Sequence, residues 1–348
     1  MRQFLKKYAG ALYVVLITAV VIAILSGTNE LGQIWQALGG MDARWVWASA
    51  GCIALYLFLR MATLRYYLAR KGHRITWLQA AGVTGAGQFY SAITPSASGG
   101  QPMQVLWMHR LCVPASIGTS CVSAKFLGFQ TAYLCMGGVL LAARRGIIRA
   151  QLDGLLWLVA VGYVINAALI VCVILTLPKS KIVDRLIRAV IRLGEKLRLI
   201  KDGDKAFAGF RDSLKDYREA LAQLLKAPVD ALAVFGLSVL QVIAFMAVAV
   251  CMYRAFGLSG VSSLDVLTIQ LMLFIAAAFV PLPGAAGAQE SGFCAFFRGI
   301  FPDGRLIAAM VCWRFFSYYL LMAMGLFMMG IARLCRRRKM DSRMTKGD

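Results

Sequence analysis

The sequence predicts an all-α integral membrane fold, a polytopic helical bundle carrying two inverted re-entrant hairpin repeats. Three observations lead there: composition, the placement of basic residues between apolar runs, and a short passage that occurs twice. The chain has 348 residues, of which 60% are hydrophobic and only 16% charged, with a mean hydropathy of +0.69. That is too apolar for a soluble domain of this length. The excess of 38 Lys and Arg over 16 Asp and Glu, a formal +22, would suggest nucleic acid in a soluble protein. Here the basic residues flank apolar runs, so topology and anionic lipid headgroups account for them, and no nucleic-acid partner is expected.

The repeated passage is TPSASGGQP at residues 94–102 and LPGAAGAQE at 282–290. At a constant offset of 188, Pro95 falls on Pro283, Ala97 on Ala285, Gly99 on Gly287 and Gln101 on Gln289. The register continues through Arg110 on Arg298 and Pro114 on Pro302. With one single-residue gap Lys125 falls on Arg314, each followed by Phe. A register held this far points to duplication.

Taken in order, Arg2, Lys6 and Lys7 precede an apolar run over residues 8–25, about the length of a bilayer crossing. A signal peptide would have a shorter apolar core and a small-residue cleavage site, so this is an uncleaved first helix. A second apolar run, 45–59, ends at Arg60, Arg65, Arg70, Lys71 and Arg74, which mark a cytoplasmic junction. Residues 75–93 are moderately apolar, rich in Gly and Ala, and run into the first repeat before a short apolar return over 103–108. Broken backbone survives at membrane depth only where protein or a wet cavity satisfies it. Residues 75–110 therefore form a re-entrant hairpin from the cytoplasmic side; the competing reading is an ordinary helix followed by an outside loop.

Residues 115–142 are a crossing with Lys125 at its middle. Arg144, Arg145 and Arg149 mark an external loop, and 155–177 returns. Residues 179–226 hold thirteen Lys or Arg, with Ile182, Leu186, Ile187, Val190 and Leu197 at helical spacing. This fits amphipathic helices on the inner leaflet, either recognising anionic lipid or setting topology. Residues 229–250 cross outward, 254–265 form a short external segment, and 266–280 lead into the second repeat. Residues 306–331 cross inward with Arg314 near the first third, followed by a basic tail. The whole is a single membrane domain, 1–348, with repeat one at about 75–142, a basic segment at 179–227, repeat two at about 266–331 and a tail at 332–348. Both termini are placed in the cytoplasm.

An odd number of crossings separates the repeats, so the hairpins open to opposite sides. Inverted repeats of broken helices are a recurring transporter plan and imply alternating access. Charges within spans usually face a partner or a cavity. Lys125, Arg314 and Glu290 either neutralise one another as structural ion pairs or hold a ligand. In the second case Lys125 and Arg314 grip a lipid phosphate, Arg through its planar fork and Lys as a point charge, while Glu290 and Gln101 contact the headgroup. Gln289 and Arg110 complete the substrate-binding candidates on the repeat register. Gly99, Gly100, Gly284 and Gly287 allow close backbone approach, and Pro95, Pro281 and Pro283 break the hairpin helices. Ser96 and Ser98 bond either a ligand or the hairpin backbone, the second being commoner.

Nine Cys are scattered singly without C-x-x-C spacing and read as small buried hydrophobes. The two histidines, His73 and His109, stand in no ligand pattern, and His109 flanks a helix end, so no metal is expected. No cofactor is expected either, and no nucleophile and base stand at a recognisable spacing, so no catalytic residue is assigned. A phosphate-binding G-x-x-x-x-G-K-[ST] stretch is absent, which argues against ATP drive within this chain.

The motif P-x-x-x-G-G-(E/Q)-P over Pro95 to Pro102, the basic Arg110, the crossing with Lys125, and P-x-P-G-x-x-G-x-x-E over Pro281 to Glu290 resemble the lysylphosphatidylglycerol synthase transmembrane family of flippase-like proteins. The resemblance covers most of the chain, and its second motif is the more specific. It implies a lipid flippase or translocase in a bacterial cytoplasmic (inner) membrane, acting on an anionic or modified phospholipid. The alternative is a non-transporting scaffold for a pathway such as hopanoid or glycolipid synthesis. The expected partners are membrane phospholipid and anionic inner-leaflet headgroups, with a lipid-modifying enzyme or a second copy of the chain as further candidates. Two departures matter: Gln101 stands where the family commonly has Glu, and Ala124–Lys125 where an acidic–basic pair often sits. The sequence also has no aminoacyl-transferase domain after residue 331, so synthesis of lysylphosphatidylglycerol is not expected. Pro102 ends the first motif where Glu290 ends the second, which assigns acidic selectivity to the external half.

Overall fold

A computed structural model describes residues 39–175, 222, 227–277, 282–302 and 304–344. The predicted first crossing at 8–25, almost all of the basic segment 179–227, and Pro281 lie outside the described residues. Within them every element is helical, and five helical segments are long and apolar enough to cross a membrane: 43–70, 115–143, 145–171, 228–255 and 306–335. The five predicted crossings that fall on described residues coincide with these.

Helix α1 (Ala43–Arg70) starts on Asp42, whose side chain accepts from the Arg44 N–H at 2.9 Å. It runs eleven residues beyond the apolar stretch 45–59 and takes Arg60 and Arg65 into its interior turns. The helix therefore ends among the basic residues, at Arg70, and not at the last residue of the apolar run. Polar side chains at Tyr56, Arg60, Thr63 and Tyr67 recur at helical spacing on its inward face, where Tyr67 pairs with Ser120 at 2.7 Å and Thr63 with Gln241 at 2.9 Å.

Helix α2 (Trp77–Ile93) opens with a capping box between Thr76 and Gln79. After the one-turn 3₁₀ segment Pro95–Ala97, α3 (Gly100–His109) folds back against α2. Close packing requires glycine here. A Cβ on Gly100 would collide with Ser91 and the Gly87 carbonyl, and one on Gly87 with the Gln104 amide. The second motif takes up the same turn at the same offset. Helix α4 (Ala115–Ala143) follows hairpin one, and 188 residues after the first tip a second 3₁₀ turn, Pro283–Ala285, joins α8 (Ser263–Ala276) to α9 (Ala288–Phe297). The two tips even share their unusual dihedrals: φ is +50° and +53° at Ser96 and Ala97, against +61° and +48° at Gly284 and Ala285.

Between the hairpins lie α5 (Arg145–Leu152), α6 (Leu156–Leu175) and α7 (Pro228–Ala255). The predicted loop at Arg144–Arg149 is therefore mostly a short helix. Its Ile148 and Leu152, one turn apart, are buried while Arg145 and Arg149 face out. The last crossing, expected as one plain helix over 306–331, is α10 (Leu306–Arg314), a π turn (Phe315–Leu320) and α11 (Leu321–Met344). Helix α11 continues through most of the predicted tail.

Helix α1 lies along α7, and α2 along α11. The second crossing is backbone to backbone: a Cβ on Gly85 would strike the Gly325 carbonyl and one on Gly325 the Gly85 carbonyl. Such small-residue contacts are how helices associate where lipid removes any hydrophobic drive between them. Outward faces remain apolar, with Val164, Leu232 and Phe327 each about two-thirds exposed. Inside, Phe129, Tyr133, Phe245 and Phe274 form a cluster of mostly edge-on rings at centroid spacings from 5.5 to 6.3 Å.

Candidate functional site

The two 3₁₀ tips touch each other. Beside their junction lies a cavity of about 260 Å³ bordered by Ser96, Gly284, Gln289, Arg314, Ser317 and Tyr318. Arg314, the last residue of α10, is buried. Its Nη2 donates to the Gly284 carbonyl at 2.7 Å, and its guanidinium sits 4.4 Å from the Tyr318 ring centroid. Its Nε lies 2.7 Å from Glu290 Oε1, yet that N–H makes no aligned hydrogen bond. The contact is one of charge more than of direction. The other Glu290 oxygen accepts from the Gly287 N–H at 2.7 Å, capping α9. Glu290 thus ties the tip backbone to the buried cation. The Tyr318 hydroxyl donates to Ala92 O at 2.9 Å, so the final crossing holds both hairpins. Gln289 Oε1 and Ser317 Oγ are buried without hydrogen-bond partners among the described residues.

Lys125 stands elsewhere. It is 8% exposed, and its Nζ donates to Gln104 Oε1 at 3.1 Å. With Gln101, Gln104, Arg60 and Gln241 it lines a separate cavity of about 100 Å³. Phe129 borders this cavity and Phe274 the one at the tips, and their rings meet edge-on at 6.3 Å. Lys125 and Arg314 consequently do not line one cavity. Of the ion pairs expected among the three buried charges, Arg314–Glu290 forms, while Lys125 has a neutral partner.

The remaining candidates divide between these places and the scaffold. Ser96 borders the tip cavity, whereas the Ser98 hydroxyl donates to Pro95 O at 2.9 Å and serves the hairpin backbone. Gly99 packs on the Thr94 side chain, and its N–H donates to the Thr94 hydroxyl at 2.9 Å. Gly284 leaves room for the Tyr318 ring, and Gly287 is needed for its φ of +83°. Pro95 and Pro283 begin the 3₁₀ turns. Arg110 caps α3 at its exposed end, and His109 is that helix's last residue. Cys52, Cys112, Cys121, Cys135, Cys251, Cys294, Cys312 and Cys335 are free, and no metal-ligating cluster occurs among the described residues.

Three participants escaped the sequence reading: Arg60, Gln104 and Gln241. The signal for Arg60 was its place in the Tyr56, Arg60, Thr63, Tyr67 series on one face of α1.

The family model for the lysylphosphatidylglycerol synthase TM region matches this sequence over residues 11–325. The chain belongs to the lysylphosphatidylglycerol synthase TM region family. A UPF0104 membrane protein of Archaeoglobus fulgidus is 25% identical over 321 residues, 88% of this chain and 92% of the relative. Family membership and the apolar helices make this a multi-pass membrane protein with a role connected to membrane lipid.

Proposed function

We propose that the protein is a lipid translocase that moves a polar phospholipid across the membrane by alternating access between its two hairpin halves. Head-to-head contact of the tips carries this reading. Two similar hairpins that meet at their broken ends, beside a cavity into which Arg314, Gln289 and Ser317 bring polar groups, are what re-entry from opposite membrane faces requires. Irregular backbone at membrane depth is tolerated only where protein or a wet cavity satisfies it, and here each tip lies against the other. Arg314, Gln289 and Ser317 then supply polar contacts in the tip cavity, with Glu290 setting the charge of the second half.

Headgroup accessibility in vesicles tests the activity. Purified protein reconstituted with a headgroup-labelled phosphatidylglycerol is expected to expose inner-leaflet label to an external quencher, and Arg314→Gln to slow this at least tenfold at equal abundance. Label that stays protected with wild-type protein sinks the reading. Orientation is tested by single cysteines at the exposed Arg110 and Arg298, in a background with the native cysteines replaced. Arg110→Cys should react from the cytoplasmic side and Arg298→Cys from the other; reaction of both from one side rejects the inverted arrangement.

A further inference from the structure

The cavity around Lys125 has a charge problem that the tip cavity lacks. Arg60 and Lys125 both line it, together with Gln101, Gln104 and Gln241, and among the described residues it has no carboxylate. Asp230 is engaged by Tyr66 and Arg70, Asp265 by Arg144, and Glu290 by Arg314. Lys125 uses one of its three donors on the neutral Gln104. Arg60 gives one N–H to Tyr56 at 2.7 Å, and its Nε is buried with no hydrogen-bond partner. Two cations drawn together in a low-dielectric interior repel one another and are costly without an anion.

A second feature adjoins the first. An apolar cavity of about 560 Å³ runs between α3 and α4, bordered by Pro102, Val105, Leu106, Ala115 and Val122. Gln101 and Val122 line both cavities, so the apolar space adjoins the cationic one. The first turn of α3, which lacks any side-chain cap, carries Gln101 to this junction and adds the partial positive charge of a helix N-terminus.

We propose that this composite pocket binds one anionic phospholipid, with its phosphate between Arg60 and Lys125 and an acyl chain in the α3–α4 groove. The site accepts headgroups without an ammonium, such as a phosphatidylglycerol, and disfavours aminoacylated ones, for which it offers no carboxylate. Gln101, Gln104 and Gln241 supply neutral hydrogen-bonding groups around the phosphodiester. The site lies in the first half, apart from the tip cavity. As a station for the transported substrate, it rests on the translocase reading; as a lipid-binding site it stands alone.

Native mass spectrometry of the delipidated full-length protein, titrated with phosphatidylglycerol, lysylphosphatidylglycerol and phosphatidylcholine, is the test. Phosphatidylglycerol is expected to bind at least tenfold more tightly than the other two. Arg60→Gln and Lys125→Gln are each expected to weaken it about tenfold, the loss of one charge-assisted contact. Leu106→Trp, which fills the groove and leaves both cations in place, should weaken phosphatidylglycerol equally while leaving the affinity for inorganic phosphate itself unchanged, so that phosphate displaces the lipid more readily from this variant than from wild type. The proposal is overturned if wild-type protein prefers no lipid, if folded Arg60→Gln and Lys125→Gln bind within twofold of wild type, or if inorganic phosphate displaces the lipid equally well from wild type and Leu106→Trp. Vesicle translocation by the same variants separates the two readings. Transport with unaltered binding in the variants rejects this site alone, and specific binding without wild-type transport rejects the translocase alone.

Discussion

Hairpin one and hairpin two share their 3₁₀ tips and differ in how they treat the buried cation that follows. In the second half Arg314 meets Glu290 at 2.7 Å, and the carboxylate also caps the helix beside it. In the first half Pro102 occupies the equivalent position, and Lys125 meets the neutral Gln104 at 3.1 Å in the company of Arg60. One half is internally neutralised and closed upon itself; the other carries a positive surplus. The two halves share the 3₁₀ tips, two positive-φ residues at each tip and the start of the helix that follows, while their charge balance differs.

The largest expected effect tests that neutralisation. Glu290→Gln strands a nine-tenths buried guanidinium and should destabilise the protein by about 3 kcal/mol, seen as a clear fall in Tm in a fixed detergent. Lys125→Met removes a cation without a carboxylate partner, and its Tm should stay within about 1 kcal/mol of wild type, the lost Gln104 contact being offset by relief of burial. Equal losses in the two variants would erase the contrast.

A smaller effect concerns the tips. Gly284→Ala places a Cβ into the Tyr318 ring at φ +61° and should cost about 2 kcal/mol. At the equivalent position Ser96 already carries a side chain at φ +50°, so Ser96→Gly should gain up to about 1 kcal/mol by releasing that conformation. The same thermal measurement reads both signs.

The smallest effect is on charge alone. Gln101→Glu restores a carboxylate next to Arg60 and Lys125, and phosphatidylglycerol binding should weaken about tenfold through internal competition, with little change in Tm. Unchanged binding would leave the surplus in the first half without consequence.

Much of this molecule can be read in its residues, and the reasons are local. Hydropathy locates the crossings because lipid imposes one length and one polarity on each. The tips are visible because Pro95, Gly99 and their counterparts satisfy backbone demands that few residues can meet. Arg60 was hidden because a basic residue ending an apolar run looks the same whether the helix stops there or continues. Only the polar series through Thr63 and Tyr67 distinguishes the two. Which cation pairs with Glu290 was also undetermined, since that depends on tertiary distance and not on spacing. The π turn at 315–320 has no mark in FFSYYL, whose aromatic residues suit an ordinary helix equally well. Ile148 and Leu152 did carry a helical signal, masked by three arginines that read as loop.

The close crossing of Gly85 and Gly325 bears on what can move. At Gly85 and Gly325 a Cβ on either helix would strike the other's carbonyl oxygen, and Gly82 likewise leaves no room beside Ala332, so α2 and α11 cannot slide along one another without losing the fit. The first hairpin is therefore yoked to the last helix of the chain, some 240 residues away, more firmly than to parts of its own repeat. The unit marked by the repeated motif and the unit held together by this packing are therefore different pieces of the protein.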